Sequence, residues 1–243
     1  MGMPVTVDIV DAVVTQKAVD DVFSYFTYVD KKFSTYKTTS EITKINNGEL
    51  KEKDWSDDMK TVFALSEETK RVTAGFFDIV TPDGKYDPSG LVKGWAIYNA
   101  AKLLLKDGFK NFYIDAGGDI QANGKNSSGK NWSVGIKNPF NQKEIVKVVY
   151  IKTEGVATSG TYIRGQHIYN PKKKNRSIDD IMSLTVVSPN IYEADRFATA
   201  AFAMGKPGID FIEQLKGFEG YLIDKEGIAT MTSGFEKYTK ENR

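Results

Sequence analysis

Ser188-Pro189-Asn190-Ile191-Tyr192-Glu193-Ala194-Asp195-Arg196-Phe197-Ala198-Thr199-Ala200-Ala201-Phe202 is the stretch on which the fold turns. Asn190 and Glu193 have the spacing of a capping box, so a helix is expected from about Tyr192 to Met204. It stands among strands. Asn111 to Asp115, Trp132 to Ile136, Ile145 to Ile151 and Leu184 to Ser188 precede it, separated by Gly, Asn and Ser clusters. After it, Pro207 opens a further predicted helix, and a strand pair follows at Tyr221 to Ile223 and Ile228 to Met231.

Toward the N-terminus the pattern reverses. Val5 to Val10 reads as a strand, and Thr15 caps a predicted helix with Ala18, Val19, Val22, Phe23, Phe26 and Val29 at helical spacing. Ser40 with Thr43 begins a short polar helix, and Ser56 to Val72 a longer one. Asp87-Pro88 is a start signal, the carboxylate capping free amides and the proline fixing the first turn. That helix is expected to run to about Lys106 and stop near Gly108. This irregular order argues against a doubly wound sheet and for one mixed α/β (α+β) domain over residues 1–243, with a largely antiparallel sheet and flanking helices.

Bulk properties narrow the classes. The 243 residues are 40% hydrophobic and 27% charged, with 33 basic against 32 acidic side chains, so no global field points to nucleic acid. No cysteine is present, which excludes disulfides and thiolate chemistry. No run approaches the roughly 20 apolar residues of a membrane span. The opening residues have neither the cationic start nor the apolar core of a signal peptide, so the cytoplasm is the default expectation.

Several groups carry chemistry. Asp195 and Thr199 lie one helical turn apart beside the small residues Ala194, Ala198 and Ala201. A carboxylate there is either an exposed ion-pair partner or an oxygen ligand for a hard cation such as Mg²⁺. Asp115-Ala116-Gly117-Gly118-Asp119 follows a predicted strand and reads as a tight hairpin turn or a close backbone approach to a ligand. Gly75-Phe76-Phe77-Asp78 joins two rings to an acid, which suits either the core or a planar ligand. His167, the only histidine, is a structural residue or a general base. The run Lys172-Lys173-Lys174-Asn175-Arg176 reads as a solvated loop.

In order, these blocks resemble the ApbE-type FAD:protein FMN transferases over nearly the whole chain. Met1 to Val5 resembles the family's opening strand motif. Phe33-Ser34-Thr35-Tyr36 with Ser40-Glu41-Ile42 and Asn46 resembles its "FSTY…SEI…N" block. Gly75 to Asp78 and Asp87 to Ala96 resemble "GxFD" and "DLGGIAKGYA", and Asp115 to Ile120 matches "DAGGDI". Ala157 to Gly160, His167-Ile168 with Asn170-Pro171, and Glu193-Ala194-Asp195 with Ala198-Thr199 resemble "ATSG", "HIIDP" and "EADALAT".

The resemblance implies an enzyme that moves FMN from FAD to a Thr or Ser hydroxyl of an acceptor protein, with Mg²⁺ and with AMP released, in a cleft of a mixed α/β domain. It implies Asp195, Thr199 and the Gly90 carbonyl as Mg²⁺ ligands. Met1, Tyr36, Phe76, Phe77, Asp78, Asp87, Lys93 and Tyr169 would line the FAD site, and His167 with Asp195 would serve the chemistry. An FAD pyrophosphatase and a non-catalytic flavin-binding protein are the rival readings. Departures are visible. Only residues 79–86 separate Asp78 from Asp87, where the family carries a longer segment; Asn170 replaces an acid, Met3 a threonine, and Ala198 a second acid of some members. A Gly90 carbonyl that binds metal also conflicts with a regular helix starting at Pro88.

Overall fold

The computed structural model describes residues 2–161, 168–173 and 177–241. Its strands are β1 (Val5–Ile9), β2 (Phe112–Ala116), β3 (Asp119–Asn123), β4 (Trp132–Lys137), β5 (Ile145–Ile151), β6 (Gly155–Gly160), β7 (Ile181–Ser188), β8 (Glu219–Asp224) and β9 (Ala229–Met231). The helices are α1 (Gln16–Phe33), α2 (Glu41–Asn46), α3 (Asp57–Val72), α4 (Ser89–Lys106), α5 (Ile191–Met204) and α6 (Gly208–Glu213). Seven strands form one sheet in the order β1-β2-β3-β6-β7-β8-β9, every neighbouring pair antiparallel, and β4–β5 is a separate hairpin. The expected mixed α/β fold with a largely antiparallel sheet is the one observed.

The central strands of the sheet are buried on both faces, and alternation along each of them assigns its side chains. Ala157, Val186 and Leu222 join the helices on one face, with Phe112, Ile114 and Ala116 of β2. Val156, Val187, Tyr221 and Ile223 join Trp132, Val134, Val149 and Ile151 of the β4–β5 hairpin on the other. Strands covered twice lose the polar–apolar alternation of a half-exposed strand, which is why β3 and β6 were not expected from the sequence. Both are also poor in β-branched residues at their ends: Asp119-Ile120-Gln121-Ala122-Asn123 and Gly155-Val156-Ala157-Thr158-Ser159-Gly160.

Helix α5 is the centre of the helical layer. Eleven of its 14 residues are buried, so it is covered nearly all round. It packs on β6 and β7 and against α4. The α4 crossing is close because of glycine: a Cβ on Gly94 would lie 2.6 Å from Asp195 Cβ and 2.7 Å from the Ile191 carbonyl. Caps form where expected. Thr15, Ser40, Ser56 and Asn190 accept from the amides of Ala18, Thr43, Met59 and Glu193.

Two start signals are corrected in detail. Helix α4 begins at Ser89, with Pro88 just outside it, and Asp87 Oδ1 accepts from Ser89 N at 3.0 Å. Glu193 completes only half a capping box, because its carboxylate binds Arg196 rather than returning to Asn190. Among the described residues no helix is long and apolar enough to cross a membrane.

Candidate active site

Gly117 and Gly118 have φ of 67° and 95° and form the two-residue turn that pairs Ala116 with Asp119. Such a turn demands left-handed backbone at both central positions, hence the paired glycines. Asp115 Oδ1 steadies it by accepting from Gly118 N at 2.7 Å. Asp119 then becomes the first residue of β3. Its neighbour Ile120 points into the hairpin core, so Asp119 faces the helices.

There it meets α4 and α5. Lys93 Nζ lies 2.6 Å from Asp119 Oδ2 and 3.7 Å from Asp195 Oδ1. That Asp119 oxygen is buried and forms an ion pair with the ammonium. The other carboxylate oxygens are tied to backbone: Asp119 Oδ1 accepts from Thr158 N at 3.2 Å and Asp195 Oδ2 from Gly94 N at 2.7 Å. Asp119 and Asp195 are 2% and 3% exposed. Burial pushes the Asp195 carboxyl well above the usual carboxylate range; Lys93 opposes the shift and Asp119 adds to it.

The contacts of Gly94 and Gly90 bear on the conflict noted for a Gly90 carbonyl inside a helix. In a regular helix the Gly94 amide points at the Gly90 carbonyl; here that amide also donates to the Asp195 carboxylate. The Gly90 carbonyl accepts from Thr199 Oγ1 at 3.2 Å. Asp195, Thr199 and Gly90 therefore converge at one end of a cleft of about 800 Å³.

These residues fit a hard divalent cation. The donors are all oxygen: a carboxylate, a hydroxyl and a carbonyl, which suit Mg²⁺ and offer nothing to a soft metal. Among the described residues, both buried carboxylates face the Lys93 ammonium, and a cation at Asp195 would offset the burial that disfavours its ionised form. Among those residues no three His, Cys, Asp or Glu side chains converge as a metal cluster, so waters or a ligand would complete the coordination.

The same cleft is lined by Phe76, Phe77, Asp78, Asp87, Lys93 and Tyr169. Phe77 is 3% exposed and belongs chiefly to the core, touching the space above Gly90. Phe76 is half-buried, with Lys172 Nζ 4.7 Å from its ring centre. Asp78 pairs with Lys70 at 2.8 Å and accepts from Val80 N. Residues 79–86 form a tight turn closed by a bridge between Val80 and Tyr86, and the Tyr169 hydroxyl donates to the Val80 carbonyl. Asn46 clamps this turn, its amide donating to the Tyr86 carbonyl and accepting from the Tyr86 amide.

Tyr36 lies apart, 96% exposed and not in the cleft wall. Met1 and His167 lie outside the described residues. Asp119, expected from the sequence only to shape the cleft or cap a turn, is the near ion-pair partner of Lys93. Its signal was the second acid of the Gly-Gly turn, which only a strand after that turn would have aimed inward.

An antiparallel sheet layered by helices in this way recurs in solved structures of ApbE proteins, flavin transferases among them. The flavin transferase ApbE of Vibrio cholerae superposes with a TM-score of 0.85 at 20% identity, covering 98% of this chain and 96% of that one. The ApbE protein of Thermotoga maritima superposes with a TM-score of 0.87 at 19% identity, covering 99% and 97%. The ApbE family profile matches residues 1–83 and 80–222, and the chain belongs to the ApbE family. It is 29% identical over 160 residues to the FAD:protein FMN transferase of Escherichia coli K12, covering 62% of this chain and 46% of the relative. The Haemophilus influenzae enzyme of that name is 27% identical over 172 residues, covering 65% and 50%. The aligned chain thus spans about half the length of these curated relatives.

Proposed function

We propose that this chain, acting as one domain, transfers FMN from FAD to a Thr or Ser hydroxyl of an acceptor protein and releases AMP, with Mg²⁺ as cofactor. The observation that carries the reading is the buried Asp195–Lys93–Asp119 centre beside Gly90 and Thr199, at the end of an aromatic-walled cleft. The names of the family relatives support it.

Asp195, Thr199 and the Gly90 carbonyl would hold Mg²⁺, which would supply positive charge against the pyrophosphate of FAD. Lys93 offers a second positive charge to the same phosphates. Phe76 offers an open ring face and Asp78 and Asp87 offer hydrogen-bond acceptors to the flavin half; Phe77 supports that wall from the core. Tyr169, Met1 and Tyr36 complete the proposed FAD set, Tyr36 from its exposed position. The acceptor hydroxyl oxygen forms a bond to the FMN phosphorus, and the bond from that phosphorus to the bridging oxygen breaks. AMP leaves with the bonding pair, and the hydroxyl proton passes to His167 or to a carboxylate of the site.

The brevity of residues 79–86 favours a second reading, hydrolysis of FAD to FMN and AMP by water, because little chain covers that side of the cleft. Incubation with FAD, Mg²⁺ and an acceptor carrying a D-x-x-[ST]-[GA]-A-[ST]-like site separates the two. Flavin fluorescence on the acceptor band in a denaturing gel is the expected result. Free FMN without labelled acceptor indicates hydrolysis, and FAD binding without either product overturns both.

A further inference from the structure

Lys93 stands where a cation on Asp195 would feel it most. Its ammonium is 3.7 Å from Asp195 Oδ1 and 2.6 Å from Asp119 Oδ2, and its side chain is 18% exposed. It rises from α4 next to Gly94, whose amide is bound to Asp195. A divalent ion bonded to the Asp195 carboxylate at about 2 Å would share that carboxylate with the ammonium only a few ångströms away. Charges of one sign at such separations repel even in a partly screened protein interior. Asp119 is the nearer seat of the ammonium, and it is held in place by Thr158 N from the neighbouring strand.

We propose that Lys93 is a built-in counter-ion that competes with the divalent cation for Asp195, and that Asp119 is the positioning residue that keeps it in the site once the cation arrives. Without the cation, the Lys93 ammonium is offset by the carboxylates around it, so the centre offers a phosphate no net positive charge. With the cation it is net positive. The nucleotide therefore follows the metal, and Lys93, released from Asp195 but tethered by Asp119, faces its phosphates. This rests on the proposed Mg²⁺ site at Asp195.

The test is calorimetric titration of MgCl₂, without FAD, into the wild-type chain and its Lys93→Met, Lys93→Arg and Asp195→Ala variants, with thermal melts in EDTA and in Mg²⁺. Lys93→Met is purified in Mg²⁺, because it should depend on the ion for stability. It should bind Mg²⁺ on the order of ten times more tightly than wild type. It should also melt lower in EDTA and regain stability when Mg²⁺ returns. Lys93→Arg, which keeps the charge, should bind as wild type does. Equal or weaker Mg²⁺ binding by Lys93→Met overturns the proposal. Should that variant fail to fold, Lys93→Met combined with Asp119→Asn removes competitor and tether together. Binding by this double variant at or above the wild-type affinity is expected; weaker binding overturns the competition. The two readings fail differently. If Asp195→Ala binds Mg²⁺ as wild type does, the metal site itself is misplaced. If Asp195→Ala loses binding and Lys93→Met shows no gain, only the counter-ion role is lost.

Discussion

Replacing Gly94 by alanine sets two effects against each other. In a helix interior alanine is favoured over glycine by about 1 kcal/mol, so on an open helix face the change would stabilise. At this position the new methyl would sit 2.6 Å from Asp195 Cβ, 2.7 Å from the Ile191 carbonyl oxygen and 3.1 Å from Asp195 Oδ2. Two of those three atoms belong to the backbone of α5 or are fixed directly to it, so no rotamer change relieves the contact. The helices would have to separate by about 1 Å to restore ordinary van der Waals distance. Overpacking of this kind costs about 1–3 kcal/mol and more where backbone must move. Because α5 is pinned between α4 and the sheet, the upper end applies, and a net loss of about 2 kcal/mol remains after the propensity gain. For a chain of this size that lowers the midpoint by about 4–8 °C. Urea unfolding should show a lower midpoint at an unchanged m-value. The shift should also stretch the Gly94–Asp195 hydrogen bond, so Mg²⁺ affinity should fall in the folded variant. A Gly94→Ala protein as stable as wild type would refute the claim that α4 and α5 are in backbone contact at the site.

The remaining perturbations separate roles within the cleft. Asp195→Ala should abolish Mg²⁺-dependent transfer, and Thr199→Ala should weaken it less, because water replaces a neutral ligand more easily than a carboxylate; transfer rate against Mg²⁺ concentration reads both. Phe77→Ala should destabilise the fold by about 3–5 kcal/mol through its core position, whereas Phe76→Ala should leave stability nearly unchanged and weaken FAD binding in a fluorescence titration. Asn46→Ala leaves both backbone groups of Tyr86 without their partner and should cost about 1–3 kcal/mol in urea unfolding, with FAD affinity falling as Asp87 shifts. His167→Ala should slow transfer by about 10²–10⁴-fold while FAD affinity holds; wild-type turnover would remove His167 from the chemistry.

The helices were legible because their signals are local. Ser40, Ser56 and Asn190 each cap the helix that their spacing announced, and a cap needs only the next few residues. Strand β4 was legible for a similar reason, its inward positions alternating with exposed ones, and β5 alternates in this way over its last three residues. Strands β3 and β6 were not, because each is defined by what covers it. The carboxylate of Asp119 and the amide of Gln121 on β3 look like loop chemistry until Lys93 and the start of α5 are placed above them. A buried polar side chain carries no sign of its partner when that partner is far away in sequence.

The same distance explains why the site was half visible. Asp195 and Thr199 share a turn of one helix, so the sequence spaces them. Gly90, Gly94 and Lys93 share a turn of another, but their relation to Asp195 exists only after α4 and α5 cross. The crossing is what makes the chemistry: Gly94 carries no side chain, so the backbones close up, and the closure lets its amide reach Asp195 Oδ2 while Thr199 reaches the Gly90 carbonyl. A larger residue at Gly94 would therefore disturb packing, helix hydrogen bonding and the oxygen donors in one step. That coupling is why melting and Mg²⁺ binding should fall together in Gly94→Ala and part company in Lys93→Met.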